Sequence, residues 1–121
     1  MSALVQLRLL AHARARVVGS TLIVALALRD PSDWRRVRAG ATAAKVGAWF
    51  SFLRPRMVRR VELAGLTAFH YRFENVAGAG RGHDLAFDLD GRAFAQKLLD
   101  MPVQVQAERA EALTSRLLDP I

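Results

Sequence analysis

The sequence predicts an α+β fold: an antiparallel β-meander of about four strands packed against two or three helices, with room for an extra N-terminal strand. Three observations carry this expectation. The apolar period changes from helical to alternating at Pro55. Asp90-Gly91 stands between two apolar runs and has the turn chemistry of a two-residue hairpin. Asp30-Pro31-Ser32-Asp33 reads as a helix start, with a capping carboxylate, a proline suited to the first helical position and an acid in the first turn.

The elements follow in chain order. Residues 3–16 read as a helix, because Leu4, Leu7, Leu10 or Ala11, and Val18 recur at steps of three and four. A competing alternation sets Ala11, Ala13, Ala15 and Val17 against His12, Arg14 and Arg16. Alanine's preference for helix over strand tips the reading to helix. Thr21 to Leu28 is aliphatic and β-branched, and reads as a buried strand. A long helix is expected from about Pro31 to Phe52, with Trp34, Val37, Ala41, Ala44, Ala48 and Phe52 along its apolar face. Gly40 and Gly47 weaken that helix or permit close packing, and Pro55 ends it. Strands are expected at 57–63, 67–74, 83–89 and 92–98. In the second of them Phe69, Tyr71 and Phe73 share one face, and His70, Arg72 and Glu74 share the other. Pro102 is expected to open a last helix that runs to about residue 118, with Val103, Ala107, Ala110, Leu113 and Leu117 as its apolar stripe.

Composition bounds the function. With 121 residues, 52% of them hydrophobic, the chain suffices for one domain with a real core. The expected division is a basic, helix-rich half over 1–55 and a meander with a C-terminal helix over 56–121. No cysteine is present, which excludes disulfides, cysteine-ligated zinc, iron–sulfur clusters and thiol catalysis. The net charge of +7 is unevenly spread: residues 1–60 carry twelve bases against Asp30 and Asp33, while residues 61–121 carry six bases against nine acids. Arginine outnumbers lysine sixteen to two, and guanidinium forks match phosphate and carboxylate oxygens. No acid precedes Asp30, and an apolar run from Val17 to Leu28 follows three arginines, a loose match to a targeting segment. Twelve residues fall short of the roughly twenty that a membrane span needs. The segment is therefore expected to be buried in the fold and the chain to be cytoplasmic.

Candidate chemistry is sparse. His12, His70 and His83 lack metal-ligand spacing, and Asp84, Asp88 and Asp90 read as the solvated side of a strand. Gly78-Ala79-Gly80-Arg81-Gly82 has the composition of a phosphate cradle but leads toward a strand rather than a helix. No residue set supports a reaction type, and no cofactor is called for. What remains is an arginine-rich surface built from Arg35, Arg38, Lys45, Arg54, Arg56 and Arg60, with Arg81 at a loop tip. Strand alternation puts Arg56 and Arg60 on one face and turns Arg59 to the other, so Arg59 is the one expected to pack or pair internally.

Tyr71-Arg72-Phe73, Gly82-His83, Phe87, the Asp90-Gly91 turn and the final helix resemble the strand–strand–strand–helix end of a double-stranded-RNA-binding domain over roughly residues 67–118. The lysines that open that family's last helix have no counterpart between Val103 and Glu108, and the family is not assigned. The leading expectation is a non-enzymatic binding protein whose basic surface contacts a polyanion, nucleic acid first. The rivals are an assembly subunit whose basic half meets an acidic protein surface or a second copy, a membrane-surface protein anchored by Trp49, Phe50 and Phe52, and a small ligand-binding domain or enzyme with a sheet–helix pocket.

Overall fold

Alternation, not alanine's helix propensity, decides the N-terminus. The computed structural model describes residues 2–76 and 92–118. In it Ser2–Gln6 form strand β1 and Ala11–Val18 form strand β2, joined by a 3-10 turn at Leu7–Leu9. The helix expected over 3–16 is thus replaced by two strands. Ala11, Ala13, Ala15 and Val17 pair with Leu28, Leu26, Val24 and Leu22 and share their core side. Their small side chains fit a position that burial, rather than propensity, selects. Strand β3 is Thr21–Leu28, as expected. Gly19 and Ser20 make the turn into it, and Gly19 supplies the positive φ of 62° that a two-residue hairpin needs at its first central position.

Asp30 caps as expected: its side chain accepts from the Ser32 amide, and Pro31 opens a 3-10 turn through Asp33. The long helix beyond it is broken in two. Helix α1 spans Trp34–Gly40 and helix α2 spans Ala43–Trp49. Ala41 leaves the helical region, and Thr42 starts α2 by accepting from the Lys45 amide at 3.2 Å. The break resets the apolar stripe, so Val37, Ala41, Val46 and Phe50 are buried while Phe52 is 59% exposed. The glycines do permit close packing. A Cβ on Gly40 would stand 3.0 Å from the Val103 Cβ, and one on Gly47 would stand 3.2 Å from a Val58 methyl.

Strands β4 (Met57–Leu63) and β5 (Ala68–Glu74) lie where alternation placed them. The main sheet has the order β2-β3-β5-β4, with every neighbouring pair antiparallel. β3 and β4 therefore run parallel with β5 between them, and α1 and α2 connect them as a split β-α-β unit. The α+β class with a four-stranded antiparallel sheet is as the sequence predicts, although its strands are drawn from residues 11–74 and the α1–α2 crossover between β3 and β4 replaces the expected meander with the order β2-β3-β5-β4. The expected strand at 83–89, the Asp90-Gly91 turn and the Gly78–Gly82 loop lie outside the described residues.

Two further assignments are corrected. Residues 92–98 belong to helix α3, Arg92–Leu99, which buries Phe94, Ala95, Leu98 and Leu99, a one-and-four spacing that a strand cannot put on one face. Pro102 opens strand β6, Pro102–Gln106, in which Val103 and Val105 are buried and alternate with exposed neighbours. Proline is tolerated there because it is the first residue of an edge strand. β6 pairs antiparallel with β1 in a separate ribbon, and helix α4, Ala107–Leu118, follows. Among the described residues of 67–118, a helix (α3) and a strand (β6) therefore stand where the double-stranded-RNA-binding resemblance implies the third strand and the start of the final helix.

The core lies between the main sheet and the helices. Leu22, Val24 and Leu26 of β3 meet Phe69, Tyr71 and Phe73 of β5, all fully buried. Trp34 stacks on Phe69 at 4.4 Å between centroids, and Phe50 meets Phe73 at 4.9 Å. Each such side chain contributes about 1.5–3 kcal/mol by leaving water. Asp33, fully buried, ties the C-terminal helix to this layer. It accepts from Arg109 Nε and Nη2 at 3.1 and 2.7 Å and from Arg36 at 3.0 Å. Residues 17–28 are part of the main sheet, and among the described residues no helix is long and apolar enough to cross a membrane.

Candidate functional site

The phase of β5 fixes two faces of the main sheet. Phe69, Tyr71 and Phe73 point to the helices, so His70, Arg72 and Glu74 point away. Pairing carries that outward face across the sheet. One row runs Arg16–Ile23–Arg72–Arg59, and the next runs Arg14–Ala25–His70–Val61. On the outward positions of the four strands stand four arginines and one carboxylate, Glu74. Arg59 and Arg72 are direct cross-strand partners, an arrangement of like charges that destabilises a sheet. Arg14, Arg16 and Arg72 make no ion pair among the described residues, and Arg59 donates only to the Met57 sulfur, at 3.0 Å.

Strand geometry sets the spacing of these groups. Neighbouring strands lie about 4.8 Å apart and alternate residues about 7 Å apart along a strand, so Arg16 and Arg72 stand about 10 Å apart and Arg14 about 7 Å from Arg16. Arg14, Arg16 and Arg72, which line one recess, can therefore reach a single anionic group between them. Within the rows the aliphatic members are Ile23 and Ala25, which share β3, and Val61, which His70 separates from them. The face becomes concave toward the edge strand β2, where helix α3 brings Arg92, Ala95 and Gln96 alongside. The resulting open cavity has a volume of about 920 Å³.

Six of the seven residues singled out from sequence lie elsewhere. Arg38 and Arg60 are brought together on Glu62, with Arg38 Nε at 2.8 Å from one carboxylate oxygen and Arg60 Nη2 at 3.1 Å from the other. The Arg38 hydrogen bond holds the Glu62 carboxyl below its usual range. Arg60, only 14% exposed, also donates to the Arg38 carbonyl at 2.6 Å and the Ala41 carbonyl at 3.1 Å. Tyr71 donates to that same Ala41 carbonyl at 2.6 Å, and burial pushes its phenol well above the ordinary range. Arg60 thus completes the end of α1, where helical carbonyls lack partners. Lys45 reaches back to the Ala39 carbonyl at 3.4 Å, Arg35 borders a recess beside Gln104 and Gln106, and Arg54 and Arg56 are exposed in the approach to β4. Arg81 lies outside the described residues. Arg59, expected to pack internally, is on the open face, and Arg60 is the one that packs.

The aromatic cluster expected to serve as an anchor is largely engaged. Phe50 is buried, and the Trp49 indole donates to the Lys97 carbonyl at 2.6 Å while the Lys97 ammonium sits 4.6 Å from its ring centroid. Sequence reading missed Arg14, Arg16, Arg59 and Arg72 as a set. The alternation His12-Ala13-Arg14-Ala15-Arg16 would have found two of them, had it been read as a strand. Among the described residues no cluster of histidines and carboxylates could hold a metal ion.

The chain belongs to the AtuA ferredoxin-like domain family, whose model matches residues 5–104. No curated protein and no solved structure matches it. The β3-α-β4-β5-α3-β6 succession is the β-α-β-β-α-β order of ferredoxin-like folds. This chain departs from that fold at its last strand: β2 occupies the sheet edge beside β3, and β6 pairs with β1 instead. The resemblance is one of fold, since a chain without cysteine has no thiolates with which to hold an iron–sulfur cluster.

Proposed function

We propose that this member of the AtuA ferredoxin-like domain family is a non-enzymatic binding domain that receives anions on the outward face of its main sheet. The supporting observation is the Arg16–Ile23–Arg72–Arg59 row with Arg14 beside it. A like-charged cross-strand pair with no carboxylate between its members lowers stability, and a bound anion offsets that penalty. Polyanions, nucleic acid first, are the ligand class that the charge asymmetry suggests. The test is a salt titration of binding to random-sequence RNA and DNA. Each phosphate contact removed, by Arg59→Gln or Arg72→Gln, flattens the log–log salt slope by about 0.7–0.9, whereas Arg54→Gln leaves it unchanged. An unchanged slope in both row variants refutes the placement.

A second reading has its own observation. Met57 and Val61 are exposed among these arginines at 43% and 46%, and the two outward rows hold no phenylalanine, tyrosine or tryptophan, His70 being their one ring on which a base could stack. An acidic protein surface with apolar residues at its centre fits the same face. Mixing with a partner chain and measuring mass in solution separates this case from a nucleic-acid complex.

A further inference from the structure

We infer that the concave end of the arginine face, between β2, β3 and α3, is a site for a small organic anion with an apolar body, a carboxylate or a phosphate monoester. This inference rests on the proposal that the outward face binds anions, and it narrows the ligand.

The shape comes first. A cavity of about 920 Å³ falls at the upper end of the range of small-molecule sites, roughly 300–1,000 Å³. A nucleic-acid track, by contrast, runs on along a strand of phosphates and offers aromatic platforms. The chemistry divides in the same way. Ile23 and Ala25 form an aliphatic floor, the His70 imidazole separates it from Val61, and Arg14, Arg16 and Arg72 rise around it. Water cannot satisfy both parts of this surface at once. An alkyl or ring body covers the floor while one anionic group takes charge-assisted, forked hydrogen bonds from the rim. Gln96 of α3 adds a neutral donor and acceptor at the margin. Free inorganic phosphate would use only the rim, and a neutral alcohol only the floor, so each should bind less well than a molecule that joins the two.

Calorimetric titration of the whole chain with octyl phosphate, octanoate, inorganic phosphate, octanol and a short random-sequence RNA tests this. Octyl phosphate and octanoate are expected to bind, each more tightly than inorganic phosphate or octanol. Arg72→Gln and Arg16→Gln should weaken both by about tenfold or more, the worth of one charge-assisted hydrogen bond. Val61→Ser, at a half-exposed position that the fold does not depend on, should weaken octyl phosphate and leave inorganic phosphate unchanged. Equal affinity for octyl and inorganic phosphate overturns the inference, because the floor then contributes nothing. RNA binding that octyl phosphate does not displace also overturns it, while the anion-binding proposal stands. Binding of none of the five probes, with the chain folded by circular dichroism, refutes both.

Discussion

Replacing Arg72 by glutamine should stabilise the protein at low ionic strength. Arg72 is the direct partner of Arg59 on β4, and Arg16 lies two strands away in the same row. Let the two neighbouring guanidinium groups splay to about 7 Å; their repulsion in water is then about 0.6 kcal/mol, and a charge at about 10 Å adds about 0.4 kcal/mol. Against this stands the loss of part of the arginine stem that covers Ile23, since glutamine is one methylene shorter. The net expectation is a gain of about 0.5 kcal/mol at low salt, within the 0.2–1 kcal/mol seen for cross-strand pairs. The Debye length falls to about 3 Å in 1 M salt, so the gain should vanish there. Urea unfolding at the two salt concentrations measures it, with an unchanged m-value showing that the midpoint reports stability alone. Arg60→Gln is the contrast. It removes donors to two carbonyls and to Glu62 and should destabilise by about 1–3 kcal/mol, with little salt dependence. If Arg72→Gln destabilises equally at both salt concentrations, Arg72 is a packing residue and the functional case for the row collapses.

Three further outcomes are expected. Asp33→Asn leaves Arg109 and Arg36 facing a neutral amide at a fully buried position; because Arg109 keeps Asp30 at 3.6 Å, the loss should sit near the lower end of the 3–5 kcal/mol typical of broken buried pairs, about 3 kcal/mol by urea unfolding. Tyr71 has its phenol pKa raised by burial, so its contribution is complete below pH 10 and is lost as pH rises above that value, where the unfolded chain ionises first; stability should fall by about 1.4 kcal/mol per pH unit there, and Tyr71→Phe should remove that part of the decline. Gly40→Ala drives a Cβ to 3.0 Å from the Val103 Cβ and should cost about 1–3 kcal/mol by overpacking, read as a lowered midpoint in thermal unfolding.

Much of the fold was legible where the period was long and the side chains large. Thr21–Leu28 is a run of aliphatic and β-branched residues, Ala68–Glu74 alternates aromatic with polar side chains, and both are strands. The misreadings share a physical cause. In β2 the inward residues are alanines, whose local preference opposes the strand that tertiary packing requires. In α3 the pairs Phe94-Ala95 and Leu98-Leu99 form a helical face, but the turn chemistry of the Asp90-Gly91 dipeptide before it invites a strand reading. Thr42, an ordinary cap residue, divides a helix whose apolar stripe reads as continuous.

The arginines show most sharply what sequence alone withholds. Alternation establishes that Arg59 and Arg60 face opposite sides of β4, but it is silent on which side the helices cover. That side is settled by β5, whose aromatic residues turn inward and pair with β4 so that Arg60, across from Tyr71, lies under the end of α1. There the carbonyls of Arg38 and Ala41 need donors, and Arg60 supplies them. Its neighbour Arg59 is left outside, opposite Arg72, where no described carbonyl or carboxylate claims its charge. A guanidinium that completes a helix end is explained by the fold. One placed opposite another arginine across the strands is not, and among the described basic residues that difference, rather than the total charge, is the reason the outward face of the sheet is proposed as the anion-binding surface.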